Sequence, residues 1–243
     1  MPKIKLYTQS INPFTAKVEL ALALKGLAYE REVSNDAEDI KRWSPVTQLL
    51  PVIDIDGERI HDSGAIIERL MELFPEPALL AREPKTARSQ ERLAEWSDSS
   101  FLFYWNRWRE ARFPQPGDEK PAEDPSLLGK LRDGIRRGFR SEGSLSRREL
   151  REAQVIDGIA DRLSDLVAFL GDRPFFYNDE PSLADISVYG MLKLLHDGPI
   201  TGARDLILET DELVGYMKRM EDRTAKGLHY PDLDPPDLAQ PPG

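Results

Sequence analysis

Residues 49–70 read LLPVIDIDGERIHDSGAIIERL. Val52-Ile53-Asp54-Ile55 is a β-branched run, and Asp56-Gly57 supplies the two residues of a tight hairpin turn, because glycine takes positive φ without steric cost. Glu58 to His61 is then the returning strand. From Asp62-Ser63 the period changes: Ala65, Ile66, Leu70 and Leu73 recur at helical spacing, so a helix begins where the hairpin ends. Two features set the stretch apart. Pro51 opens a strand although proline cannot donate to the ladder, which calls for a special reason. The Asp-Ser pair stands at a helix mouth, where backbone N–H groups can meet a carboxylate.

Toward the N-terminus, Lys3 to Tyr7 alternates like a half-buried strand, and a polar turn follows from Thr8 to Asn12. Pro13-Phe14 opens a helix expected over Thr15 to Lys25, with Gly26 as its stop. Tyr29 to Val33 is a second strand, so residues 3–33 form a βαβ unit. Acidic residues 35–39 lead into a short helix or loop before Ser44-Pro45. Toward the C-terminus, Phe74-Pro75-Glu76-Pro77 and on to Pro84 is a linker. Beyond it strand signals vanish. Thr86 to Arg112 reads as a single helix about 40 Å long. Leu150 to Leu170 is amphipathic and closed by Gly171, and Pro181-Ser182-Leu183-Ala184-Asp185 is close to a capping box at another helix start. Leu206 to Arg223 supplies the last helices. The expected architecture is an α/β domain over residues 1–80 and an all-helical domain over 86–225. A Pro/Gly/acidic break (113–125) and a basic segment (Leu127 to Arg140) interrupt the latter, and a tail over 229–243 carries five prolines.

Composition removes several function classes. The chain has 243 residues, enough for a substantial core, and 43 acidic against 33 basic residues give a net charge of −10. That balance argues against non-specific binding to nucleic acid or to anionic membranes. There is no cysteine, so disulfides and protein-thiol chemistry are excluded. The opening MPKIKLYTQ lacks the apolar core of a signal peptide and no run reaches membrane length, which leads to the expectation of a cytoplasmic protein. His61, His196 and His229 have no metal-ligand spacing, and no phosphate loop, dinucleotide fingerprint or Gly-x-Ser-x-Gly elbow occurs.

The stretch 49–70 resembles the second half of the thioredoxin-like domain of glutathione S-transferases. The segment NPFTAKVELALALKGLAYE (residues 12–30) is similar to the opening unit of their zeta-type, maleylacetoacetate isomerase-like members. The likeness runs from residue 3 to about 225 and is poor over 113–147, which therefore reads as an insertion. It implies a thioredoxin-like glutathione-binding domain followed by a helical bundle, with glutathione as substrate, no metal and a two-fold homodimer. It implies that Pro51 is cis, that the Leu50 backbone pairs with the cysteine of glutathione, and that Asp62 and Ser63 hold its γ-glutamyl end. Gln48, in the same loop as Leu50 and Pro51, is counted with them as a glutathione-binding residue. That loop is one residue longer than the family's usual spacing, and Asp62 is one methylene shorter than the usual Glu or Gln.

The sulfur-activating residue of the Ser- and Cys-type relatives sits six positions before the Val of helix one, which here is Asn12 before Pro13. An amide offers two donors that can hydrogen-bond a thiolate, whose parent thiol titrates near ~8.5. Ser10 is the competing donor, and Asn12 is equally a helix cap. Phe101, Tyr104, Trp105 and Trp108 fall on one face of the long helix. The resemblance makes Tyr104, Trp105 and Trp108 the wall of the second-substrate pocket, while helical spacing alone makes the stripe plain core. At the start of that helix Glu91, Glu95 and Asp98 are expected to face the partner subunit's ligand site. The implied activity is addition of the glutathione thiolate to an apolar electrophile. The alternatives are glutathione-dependent disulfide reduction without a protein thiol, and a non-catalytic scaffold role. The last follows from a further likeness of the Ser-Pro loop, GERIHDSGAII and FYWNRW to the metaxin/failed-axon-connections branch.

Overall fold

The computed structural model describes residues 2–10, 12–112 and 146–224. Its N-terminal part runs β1 (Ile4–Thr8), α1 (Pro13–Leu24), β2 (Glu30–Val33), α2 (Ala37–Trp43), β3 (Val52–Ile55), β4 (Glu58–His61) and α3 (Ser63–Leu73). The sheet order is β2-β1-β3-β4, with β1 parallel to β2 and antiparallel to β3, and β3 antiparallel to β4. Strand alternation decides which residues face which layer. Ile4, Leu6, Ile53 and Ile55 join the main core, whereas Tyr7 and Val52 point the other way into a small cluster with Trp43 and Leu50. The hairpin turn has positive φ at both Asp56 (50°) and Gly57 (93°), the conformation its Asp-Gly pair favours.

Helix α1 is buried on every side from Thr15 to Leu22, because α3 covers one side and a helix of the C-terminal part the other. Its two buried charges are accordingly paired. Glu19 meets Arg31 at 2.8 Å, and Lys17 meets Asp98. Burial raises the Glu19 carboxyl despite the opposing pull of Arg31 and the Tyr29 hydroxyl. Removing one member of such a pair strands the other in the core.

The C-terminal part is α4 (Pro84–Arg112), α5 (Arg147–Leu170), α6 (Leu183–Asp197), α7 (Ala203–Leu208) and α8 (Asp211–Thr224). Helix α6 is the hub, apolar nearly all round and packed on α1, α4, α7 and α8. Gly190 lets α1 approach, since a Cβ there would lie 3.3 Å from Lys17 Cγ and 3.5 Å from the Pro13 carbonyl. The linker is held from below by Lys25, whose Nζ donates to the carbonyls of Phe74 (2.6 Å) and Pro77 (3.0 Å).

Element types follow the sequence reading and the ends shift for local reasons. Helix α1 begins at Pro13 rather than Thr15, because Asn12 caps it. Helix α5 begins at Arg147 rather than Leu150, because Ser146 and Glu149 form a reciprocal capping box that the reading missed. The expected insertion (113–147, up to residue 145) and the proline-rich tail (229–243) lie outside the described residues.

Candidate glutathione site

Three separate segments meet at the end of the sheet where β1 and β4 finish and β3 begins. The first is the turn between β1 and α1. The Asn12 amide oxygen accepts from the N–H groups of Phe14 (2.9 Å) and Thr15 (3.2 Å), and its backbone carbonyl accepts from Thr15 and Ala16. With Pro13 carrying no N–H, the mouth of α1 is closed by its own cap. The second segment is the loop before β3, where the Leu50–Pro51 peptide is cis, as the resemblance implies. Asn12 Nδ2 donates to the Leu50 carbonyl at 2.8 Å, tying the two segments across 38 residues. The Leu50 N–H has no acceptor among the described residues.

The third segment is the mouth of α3. Asp62 adopts φ of 74°, and its Oδ1 accepts from the N–H groups of Gly64 (2.8 Å) and Ala65 (3.2 Å). Of the Asp-Ser pair at the helix mouth, the cap of α3 is therefore Asp62 and not Ser63. Ser63 is the first helical residue and is buried, with its hydroxyl making no hydrogen bond to any described residue. The second Asp62 oxygen is left over at an exposed position.

Other expected site residues fall as follows. Ser10 makes its contacts with Asn35, which follows β2 on the other side of β1 from the Leu50 and Asp62 segments: the Ser10 N–H donates to Asn35 Oδ1 (3.2 Å) and Asn35 Nδ2 donates to Ser10 Oγ (2.7 Å). Gln48 is exposed with φ of 53°, and its N–H donates to the Ser44 carbonyl. The same loop leaves Val46 and Leu49 exposed. Of the aromatic stripe, Phe101 and Trp108 are buried core. The Tyr104 ring lies over Gly158, where a Cβ would come within 2.3 Å, and half-buried Trp105 packs on Trp108 with centroids 5.4 Å apart. Asp98, expected to face a partner subunit, takes Lys17 of its own chain as its ion partner. Burial pushes the Asp98 carboxyl up, opposed by Lys17 and Ser187, and nearby Asp62 pushes it further. The reading missed the Asn12–Leu50 tie, the Asn35 contacts and the Lys17–Asp98 pair, all of which join residues far apart in sequence.

A thioredoxin-like α/β unit carrying a cis-proline groove and followed by a helical bundle defines the class. Family models described as the glutathione S-transferase N-terminal and C-terminal domains match residues 6–78 and 159–220. A maleylacetoacetate isomerase of Pseudomonas aeruginosa is 37% identical over 191 residues, covering 75% of this chain and 77% of that protein. An isoprene-epoxide–glutathione S-transferase of Rhodococcus sp. (strain AD45) is 28% identical over 226 residues, covering 86% and 91%. The Failed axon connections protein of Drosophila melanogaster is 27% identical over 248 residues, covering 93% of this chain but only 56% of that longer protein. A glutathione S-transferase structure from Rhodospirillum rubrum F11 shares the fold, with a TM-score of 0.65 at 22% identity over 97% of this chain and 98% of that one. The chain belongs to the glutathione S-transferase superfamily and is a transferase of that type. Among the described residues no helix is long and apolar enough to cross a membrane, and no three His, Asp or Glu side chains converge as metal ligands would.

Proposed function

We propose that this protein binds glutathione across the three segments and adds its thiolate to an electrophile held against the helical part. The observation that carries this reading is the 2.8 Å contact between Asn12 and the Leu50 carbonyl, which brings the first turn to the cis-proline loop whose hairpin delivers Asp62 and Ser63. In this reading the Leu50 N–H donates to the peptide of glutathione, and the unpartnered Ser63 hydroxyl donates to the α-carboxylate of the γ-glutamyl end. The free Asp62 oxygen accepts from the ammonium group beside that carboxylate. The thiol proton leaves to solvent. The resulting thiolate forms a carbon–sulfur bond as the electrophile's leaving bond, or an epoxide C–O bond, breaks. Hydrogen bonds from Ser10 or from the remaining N–H of Asn12 favour the anion. Tyr104 and Trp105, which retain exposed surface, are the proposed apolar side of the second site, with buried Trp108 packed behind Trp105. Gln48 is proposed to close the groove from the loop. A two-fold homodimer in the cytoplasm, as is typical of the superfamily, is part of the same proposal.

The test is a titration of the protein with glutathione by calorimetry, followed by turnover on a panel of epoxides, activated double bonds and glutathionyl disulfides. Turnover of the first two classes supports conjugation, and turnover of disulfides alone supports glutathione-dependent reduction. Absence of glutathione binding favours a scaffold role. That second reading is supported by the similarity to Failed axon connections along nearly the whole chain.

A further inference from the structure

We propose that the groove between α5 and α7 binds a small lipophilic cation, an ammonium or guanidinium compound with an apolar body, at a site separate from the proposed glutathione groove. The groove has a volume of about 420 Å³, and its floor is apolar, made by Ala160, Leu163 and Val167 of α5 and Leu206 of α7. That volume suits one small molecule. The stretch of α5 that it uses, residues 160–167, is about two turns or ~11 Å long, too short for the repeated anchors of a docked helix. Val167 stands nine residues beyond Gly158 (158 to 167), two and a half turns at about 3.6 residues each. The groove therefore opens on the side of α5 opposite the one that receives Tyr104 of α4.

The sign of the ligand follows from hydrogen-bond capacity. The polar side chains of the lining are Ser164, Glu209, Thr210 and Glu212. The Ser164 hydroxyl donates to the Ala160 carbonyl at 3.1 Å, and the Thr210 hydroxyl donates to the Leu206 carbonyl at 2.9 Å. With both protons spent inside their own segments, the two oxygens can only accept from a ligand. The Glu209 and Glu212 carboxylates are acceptors by nature, and neither has a partner among the described residues. All four side chains therefore ask for donors, and none offers one. The local charge agrees: residues 203–214 carry Asp205, Glu209, Asp211 and Glu212 against Arg204 alone. Asp211 and Glu212 stand in the first turn of α8, whose positive end they offset. Glu209 has no such compensation, because it caps the C-terminal end of α7, where backbone carbonyls already concentrate negative charge. Both glutamates are exposed at the rim, so a cationic head bound there keeps its contact with water while the apolar body covers the floor.

The experiment titrates the full chain by calorimetry with three probes that share one ring system and differ in charge: 1-naphthylmethylammonium, 1-naphthylmethanol and 1-naphthylacetate. The ammonium should bind about tenfold more tightly than the alcohol, and the carboxylate should bind weakest. Glu209→Gln should weaken the ammonium about tenfold and leave the alcohol unchanged. The double variant Glu209→Lys/Glu212→Lys should invert the order and favour naphthylacetate, a result that loss of folding cannot imitate. Thermal unfolding checks that each variant is folded. The proposal is overturned if wild type does not distinguish the ammonium from the carboxylate. It is equally overturned if the preference survives both lysine substitutions, because the amine then sits elsewhere, the proposed second-substrate site included. Displacement of the ammonium by a peptide copy of the basic segment 127–140, at a concentration well below that of the ammonium, would give the groove to the chain itself and overturn the small-ligand reading.

Discussion

Two helix mouths in this chain are built from the same residue types and end in opposite states. At α6, the Ser182 N–H and hydroxyl both donate to Asp185 Oδ2 at 2.8 Å, and the Phe176 N–H donates to Oδ1 at 3.0 Å. Asp185 is wholly buried, and burial pushes its carboxyl up to about 6 against the pull of those donors. At α3, Asp62 is exposed, one of its oxygens takes two N–H groups, and the other oxygen and the Ser63 hydroxyl are unspent. An acidic cap whose every position is filled inside the core is architecture. One that keeps capacity facing a groove is equipped to hold a ligand. The mouth of α1 stands between them, closed by Asn12 on the helix side and tied to Leu50 on the other.

The largest expected effect tests the closed mouth. Asp185→Ala leaves three buried donors without an acceptor, and at about 1–3 kcal/mol for each stranded group it should cost on the order of 4 kcal/mol. Urea unfolding measures it. A loss below ~1 kcal/mol would mean that water or a rearranged segment 176–182 replaces the carboxylate. Glutathione binding by the molecules that remain folded should be unchanged, since no contact of this mouth reaches the groove.

The second effect is a pH dependence with a defined sign. The folded Asp185 carboxyl titrates at about 6, above the ordinary carboxylate range, so between about 4 and 6 the folded chain holds more of this proton than the unfolded one. Its contribution therefore grows as pH falls through that window and is lost as pH rises through 6. Wild type should gain on the order of 2 kcal/mol relative to Asp185→Asn between pH 7 and pH 4. A difference that is flat or grows with rising pH would place the folded carboxyl at or below its unfolded value.

The middle mouth should give an intermediate result. Asn12→Ala removes the α1 cap and the Leu50 tie, for an expected loss of about 1–2 kcal/mol. Asn12→Asp keeps the cap, because aspartate is as good in that position, but replaces the donor to Leu50 by a carboxylate oxygen that repels the Leu50 carbonyl. If the tie holds the groove in shape, Asn12→Asp binds glutathione more weakly although the helix cap is kept. Equal binding in both variants and wild type would make the contact a by-product of capping.

How much of this was legible in the sequence follows from the range of each contact. Ser182-x-x-Asp185 and the Asn12 cap span two or three residues, and the pattern of residue types near a helix start carries them. The hairpin and the α3 mouth are local in the same way, although the sequence does not separate Asp62 from Ser63 as the cap. That choice depends on Asp62 reaching positive φ after the strand. The Asn12–Leu50 tie and the Asn35 grip on Ser10 span 38 and 25 residues and involve one side chain each. They leave no periodic trace, because only the βαβ crossover and the sheet order bring them together. The aromatic stripe is ambiguous for a related reason. Helical spacing says that Phe101, Tyr104, Trp105 and Trp108 share a face, but the residue that receives Tyr104 is Gly158 on a helix beginning beyond residue 145.

The smallest expected change in stability belongs to the open mouth, and it sharpens the comparison most. Asp62→Asn keeps an amide oxygen for the Gly64 and Ala65 N–H groups, so its unfolding free energy should stay within ~0.5 kcal/mol of wild type. Ser63→Ala removes a hydroxyl that bonds to no described residue, and its stability should move as little. Glutathione binding should respond quite differently. Losing one charge-assisted contact to the γ-glutamyl end, at ~1.4 kcal/mol for each tenfold in affinity, corresponds to a roughly tenfold weaker Kd for either variant. Removing the γ-glutamyl group from the ligand instead of the side chain from the protein provides the control. The dipeptide cysteinylglycine should bind wild type weakly, and the two variants no worse than wild type. If both variants discriminate between glutathione and cysteinylglycine as well as wild type does, the α3 mouth is capped and unused, and it falls in the same class as α6.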